Sequence, residues 1–325
     1  MRAIRRGLVS RFIPMRSPDS LPQGGLFFRP KPKRPILARH AGPPRVYARI
    51  GNLEVRLAQT RGDVKRAQRL RYHVFFEEMS ALPDALAAMS RRDEDSFDAW
   101  CDHLLVVDTS QEEKGLRRWR RRPRVVGTYR VLRQTVADRN EGFYTQGEYD
   151  VAALVERMGG GCRFMELGRS CVLKPYRNKR TVELLWQGIW TYAREHGISA
   201  MFGCASFEGT DPRQHAMALS FLHHFARSPE KWRVDAHDDL AVPMDMIPKD
   251  QIDPRAAIRS LPPLIKGYLK VGSTFGDGAV IDHQFGTTDV FVILPVEHIQ
   301  SRYFDHFGAP DEIKPVYAED GSRLN

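Results

Sequence analysis

Cysteine is scarce in this chain and carries no pattern. The four that occur, Cys101, Cys162, Cys171 and Cys204, lack the paired spacing of metal sites and redox motifs. Each lies in or beside an apolar run, where a thiol is a small buried hydrophobe, and a reducing cytoplasm is the expected compartment. No stretch approaches the ~18 consecutive apolar residues a membrane span requires, so the expectation is a soluble or peripheral protein. Acidic residues are nearly missing from the first part: residues 1–45 hold 11 Lys/Arg against one acid, Asp19. The remaining residues hold 39 basic and 39 acidic groups, so the formal net charge of +10 belongs to the tail, and basic function in the body must come from local patches.

Residues 1–45 also contain eight prolines and few regularly spaced apolar groups, which predicts a disordered basic tail. Its Arg-rich start, with Leu8, Val9, Phe12 and Ile13 between the charges, fits attraction to an anionic membrane surface on the inner face of the cell. A tail that reads nucleic acid is the rival from another class; without a folded reader no specific nucleic acid is expected. The rest divides into a single domain over residues 46–310, including an extension at about 232–300, and a flexible end at 311–325.

From residue 45 to residue 58 the alternation is that of strands, and Gly62-Asp63 opens a helix running to about Met79. Arg71 falls within its apolar stripe of Val64, Ala67, Leu70, Val74 and Phe75, and an inward arginine needs a carboxylate. Asp95 and Asp98 follow soon after. His103 to Val107 and Val125 to Leu132 read as a hairpin with an arginine-rich connection, Arg130 lying on the second strand. An irregular segment with Gly142, Gly147 and Gly159 to Gly161 comes next. The central stretch is Met165-Glu166-Leu167-Gly168-Arg169-Ser170-Cys171-Val172-Leu173, a strand broken by one acid and one arginine. It empties into Lys174-Pro175-Tyr176-Arg177-Asn178-Lys179-Arg180 and a helix with the stripe Val182, Leu185, Trp186, Ile189, Trp190 and Ala193. A further strand at 199–205 and a helix from Thr210-Asp211-Pro212 complete a strand, helix, strand unit, which implies a parallel crossover and an α/β fold. Beyond Trp232 the chain is Pro-rich, then expected to form a short helix at 264–272 and closing strands at 276–285 and 288–294.

Exposed amides at a helix start beside Arg177, Lys179 and Arg180 suit a phosphate. The turn has no glycine, so it fits a single phosphodiester better than a nucleotide diphosphate. The expected substrate is a phosphate-bearing carrier, with Glu166 the acid nearest its reactive end.

This arrangement resembles the GNAT acyltransferase superfamily, where a pantetheine arm lies between two splayed strands. Arg71-x-x-x-Phe75, Asp95-x-x-Asp98, Arg130 and Glu166-x-x-Arg169 are similar, in that order, to acyl-homoserine lactone synthases. Closer still, Gly203-Cys204-Ala205-Ser206-Phe207-x-Gly209-Thr210-Asp211-Pro212, Leu261-Pro262-Pro263-Leu264-Ile265-Lys266-Gly267-Tyr268 and Asp277-Gly278-Ala279-Val280-Ile281-Asp282-His283-Gln284-Phe285 resemble the bacterial L-ornithine Nα-acyltransferases. The resemblance implies a GNAT-like fold, a central mixed sheet with a splayed fourth and fifth strand pair flanked by helices. It implies transfer of a 3-hydroxyacyl chain from acyl carrier protein to the α-amine of L-ornithine, the thioester being a co-substrate and no metal or other cofactor being needed. A homoserine lactone synthase using S-adenosylmethionine is the enzymatic alternative.

On that footing Glu166 is the expected base, because an amine protonated at neutral pH must lose a proton before it attacks. Asp95, Asp98 and Asp282 are candidate acids for the ornithine ammonium, and Arg71 and Arg130 for its carboxylate; a purely structural ion network among them is the alternative. Amides near Cys171, Val172 and Leu173 are expected at the thioester oxyanion, with Lys174, Arg177, Asn178, Lys179 and Arg180 facing the carrier. Residues 166 and 169 are an odd number apart and so would face opposite sides of a regular strand, which predicts a bulge at Gly168.

Overall fold

The computed structural model describes residues 45–79, 81–114 and 121–299. Most of the proposed tail, the end at 311–325 and the tip of the arginine-rich connection lie outside them.

The alternating start folds as two strands, β1 (Val46–Ile50) and β2 (Leu53–Leu57), turning at Gly51 with φ 59°. Thr60 then caps α1 (Arg61–Tyr72), its side chain accepting from the Asp63 amide, and the helix continues as a π-helical turn over His73–Glu78. After α2 (Ala85–Ser90) come two long strands, β3 (Asp102–Lys114) and β4 (Arg121–Arg133), so the described residues of the arginine-rich connection continue the strands of the hairpin. The segment read as irregular holds α3 (Gln134–Ala137) and α4 (Val151–Met158). The central strand β5 (Phe164–Val172) leads through a short turn to α5 (Lys179–Glu195), which starts at its Asn178 cap. The strand β6 (Ala200–Glu208) and α6 (Ala216–Phe225) follow. The extension adds β7 (Ala241–Val242), α7 (Pro254–Ser260), α8 (Pro263–Val271), β8 (Thr274–Asp282) and β9 (Thr287–Pro295). The Pro-rich stretch hides α7 because its prolines serve as punctuation: Pro254 occupies the first turn, and the Asp253 side chain accepts from the Arg255 amide.

These nine strands form one mixed sheet in the order β1-β2-β3-β4-β5-β6-β9-β8-β7. The expected parallel pair is β5 and β6, joined by the seventeen-residue α5; every other neighbouring pair is antiparallel. The two closing strands form close to where they are expected, but they do not simply follow one another outward from β6. Instead β9 inserts beside β6 over nine residue pairs and carries β8 outward.

The α5 helix packs on β2 so tightly that a Cβ on Gly188 would lie 2.7 Å from Val55 Cγ2. Leu184, Leu185, Ile189, Tyr192 and Ala193 are buried there, whereas Val182 is 49% exposed and Trp186 only partly covered. The predicted stripe thus spans two surroundings: its sheet side is core, and its Val182 and Trp186 edge borders a cavity.

Candidate active site

β5 and β6 run parallel for nine residues each but pair only at Phe164, Met165 and Glu166 with Ala200, Met201 and Phe202. Beyond that they splay. In our strand count this is the opening expected between the fourth and fifth strands, the amino-terminal alternating stretch being two strands. A cavity of about 710 Å³ fills it. Leu167, Cys171, Val172, Leu185, Trp186 and Ile189 supply apolar wall; Glu148, Glu166, Asp282 and Asp289 supply carboxylates.

The bulge is present, one residue later than predicted. Gly168 pairs regularly with Arg130, but Thr128 pairs with Cys171, so β5 spends an extra residue at Arg169 and Ser170. Arg169 adopts φ 50°, unusual for a residue with a Cβ, at a cost of about 1–3 kcal/mol. The left-handed turn re-aims its guanidinium into the cavity wall, where it lies 4.8 Å from the ring centres of both Tyr144 and Phe285. Phe75 stacks edge-on against Phe285 at 5.6 Å and lines the cavity beside them.

Glu166 is buried and held by three donors. Its Oε2 accepts from the Tyr144 amide at 2.8 Å, and its Oε1 from the Thr145 amide at 2.8 Å and hydroxyl at 2.6 Å. Burial outweighs these contacts and raises its pKa. Neither Arg71 nor Arg130 bonds to it. Those arginines lie in a separate buried network: Arg71 Nε donates to Asp93 at 2.7 Å, and Arg71 Nη1 and Nη2 reach both oxygens of Asp98. Arg130 Nη1 reaches Asp95 at 2.6 Å and Asp98 at 3.2 Å. Despite its burial, the Asp98 carboxyl is held far below the usual carboxylate range by Arg71 and then Arg130. Of this group Arg130 borders the cavity, while Arg71, Asp95 and Asp98 do not line it. Arg169 reaches back toward it, with Nη2 3.3 Å from Asp95 and Nε 3.4 Å from Asp93.

The cavity is also lined by a carboxylate group built mostly from residues that the sequence reading passed over. Glu148, Asp282 and Asp289 each place an oxygen within 4.8 Å of the other two. Burial, then the neighbouring Asp289, pushes Glu148 up to about 7. Burial also pushes Asp289 up to about 6. Asp282 is fixed by accepting from the Gln284 and Phe285 amides at 2.8 and 2.9 Å. The Cys204 thiol, kept protonated by burial, points at Glu148 Oε2 from 3.4 Å. The same set has the oxygen chemistry of a hard-cation site, whereas His223, His224 and Asp245, away from the cavity, form a group whose imidazoles suit a transition metal instead. A signal for Asp289 was present: a lone acid in an apolar strand, as at Glu166. Tyr144, Thr145 and Glu148 gave none, lying in a segment without periodicity.

At the carrier end, Cys171 and Val172 belong to the β4 ladder, and the Leu173 amide donates to the Val126 carbonyl at 2.9 Å. The Leu173 amide is therefore committed and not free for an oxyanion; Arg169 and Ser170, which the β4 register leaves unpaired, are nearer the gap. Burial pushes the Cys171 thiol pKa up, as for a small buried hydrophobe. Arg177 donates through Nε to the Val172 carbonyl at 2.8 Å and pairs with Glu78. Arg177, Asn178 and Lys179 line the cavity mouth; Lys174 is exposed there, and Arg180 approaches the Gly51 turn.

A family model described as an acetyltransferase (GNAT) domain matches residues 70–187. The chain is 53% identical over 264 residues to an L-ornithine N(alpha)-acyltransferase of Rhizobium meliloti (strain 1021), covering 81% of this chain and 87% of that protein. To one of Brucella abortus (strain 2308) it is 51% identical over 264 residues, covering 81% and 92%. A solved N-acyl amino acid synthase from uncultured soil microbes superposes with a TM-score of 0.42 at 9% identity, covering 82% of this chain and all of that one.

Proposed function

Because the chain belongs to the family of L-ornithine N(alpha)-acyltransferases, we propose that it moves a 3-hydroxyacyl chain from the phosphopantetheine thioester of acyl carrier protein to the α-amine of L-ornithine. The products are a lyso-ornithine lipid and free carrier. The observation that carries this reading is the opening between β5 and β6 with a buried carboxylate, Glu166, in its wall. A strand edge without a partner offers amide and carbonyl groups to a pantetheine arm, and the apolar wall along Leu185, Trp186 and Ile189 receives the acyl chain.

Glu166 Oε2 accepts one hydrogen bond and keeps a lone pair for the α-ammonium proton, directly or through water. The freed amine attacks the thioester carbon. That attack forms the C–N bond; the tetrahedral intermediate gives up the extra proton on nitrogen and collapses, which restores the carbonyl, breaks the C–S bond and leaves a carrier thiolate that takes up a proton. Arg169, turned inward by the bulge, is placed to meet the acceptor carboxylate. The basic mouth at Lys174, Arg177 and Lys179 complements an acidic carrier. The route calls on no metal or further cofactor. No helix among the described residues is long and apolar enough to cross a membrane. Attachment to the anionic inner face through residues 1–45 belongs to this proposal.

The test is incubation of the purified protein with 3-hydroxyacyl-acyl carrier protein and a panel of amino acids, read by mass spectrometry. N-acyl ornithine is expected without S-adenosylmethionine. Absence of any N-acyl amino acid would sink the reading, and a lactone formed only with S-adenosylmethionine would favour a homoserine lactone synthase.

A further inference from the structure

We propose that Glu148, Asp282 and Asp289 form the subsite for the side-chain ammonium of the acceptor, which makes the enzyme selective for a diamino acid; this rests on the acyl-transfer reading above. Three carboxylates converge on one wall of the cavity, each with an oxygen within 4.8 Å of the others. Like charges so close repel, and a cation placed among them would relieve that repulsion. Asp289 is only 7% exposed, and its Oδ1 is buried with no hydrogen-bond partner. Thr287 and Ser206 help to hold the carboxylate of this cavity-lining residue, and the oxygen left over is a buried acceptor that a donor would complete. Arg169 acts on both Glu148 and Asp289, yet it is already shared with Asp93 and Asp95 and does not neutralise the trio.

The occupant follows from shape and connection. A primary ammonium presents three donors to three acceptors. The trio is joined to the proposed base by one short chain of contacts: Glu166 Oε1 accepts from the Thr145 hydroxyl at 2.6 Å, Cys204 Sγ lies 4.0 Å from that hydroxyl, and the same sulfur points at Glu148 from 3.4 Å. One amine at Glu166 and a second among the acids, separated by a short methylene chain, describes a diamino acid lying along this wall. A divalent cation is the competing occupant.

The experiment measures kcat/KM of the full-length protein for ornithine and for norvaline, which lacks the side-chain amine, with 3-hydroxyacyl-acyl carrier protein as donor after EDTA treatment. The wild type should prefer ornithine by about 100-fold or more, since a buried acceptor set left unpaired discriminates strongly. Asp289→Asn and Asp282→Asn should each cut that ratio about tenfold or more, through a higher KM for ornithine. Correctly folded variants that keep the wild-type ratio would overturn the assignment. So would a wild type that accepts both equally, or ornithine binding that EDTA abolishes and Mg2+ restores. A wild type that acylates no amino acid at all would overturn the acyl-transfer reading itself.

Discussion

A Cβ built on Gly203 would lie 2.2 Å from the Leu167 carbonyl oxygen. That contact sits one residue past the last paired positions of β5 and β6, Glu166 and Phe202, so the backbones touch where the strands part. Only a residue without a side chain permits this approach.

Gly203→Ala should therefore cost about 1–3 kcal/mol, as overpacking does, and shift β6 at the mouth of the gap. Thermal denaturation and donor titration with acyl carrier protein thioester check both effects. A variant as stable as wild type with undiminished donor affinity would show that the close approach does not set the opening.

Glu166→Gln places an amide where two backbone N–H groups and a hydroxyl donate, so one donor must face another. Turnover should fall by about 100-fold or more, as loss of a general base does, while carrier binding survives. Single-turnover kinetics with ornithine separate the two. Unchanged turnover would make Glu166 a support for the Tyr144 and Thr145 loop.

Arg71→Met leaves Asp93 and Asp98 buried without their main counter-ion. Breaking such a network costs about 3–5 kcal/mol, and urea denaturation should report it. Because the Asp98 pKa is depressed in the folded state, its contribution is present above the unfolded carboxylate pKa and is lost as pH falls through the lower folded value. The deficit relative to wild type should shrink in strong acid.

The acidic trio predicts the opposite pH dependence. The Glu148 pKa is raised to about 7 in the folded state, so folded protein binds the proton more tightly than unfolded protein does. Its contribution is complete below the unfolded value of about 4.5 and is lost as pH rises through about 7. Glu148→Gln should therefore gain thermal stability relative to wild type at pH 8 and little at pH 4. Melting curves at the two pH values decide it, and a difference independent of pH would contradict the strain.

Much of this was readable along the chain because its signals are local. Glu166 and Arg169 interrupt an apolar strand, Thr210-Asp211-Pro212 marks a helix start, and the odd spacing of 166 and 169 demanded a bulge. The bulge fell at Arg169 because Gly168 still pairs with Arg130, a register relation that no local pattern encodes. Arg71 was rightly expected to need carboxylates, and in the fold it takes Asp93 and Asp98, which leaves it off the cavity wall.

The sequence by itself determined the α/β class, the parallel crossover and the strand that carries the central acid, since periodicity and punctuation are properties of neighbouring residues. Tertiary structure alone decided that β9 inserts beside β6, and with it that Asp289 and Asp282 come together with Glu148 on one wall of the cavity. Residues so far apart in sequence share no local pattern. Burial first, and then the charge of the neighbouring acids, raises Glu148 and Asp289 above ordinary carboxylates and turns separate acids into one site.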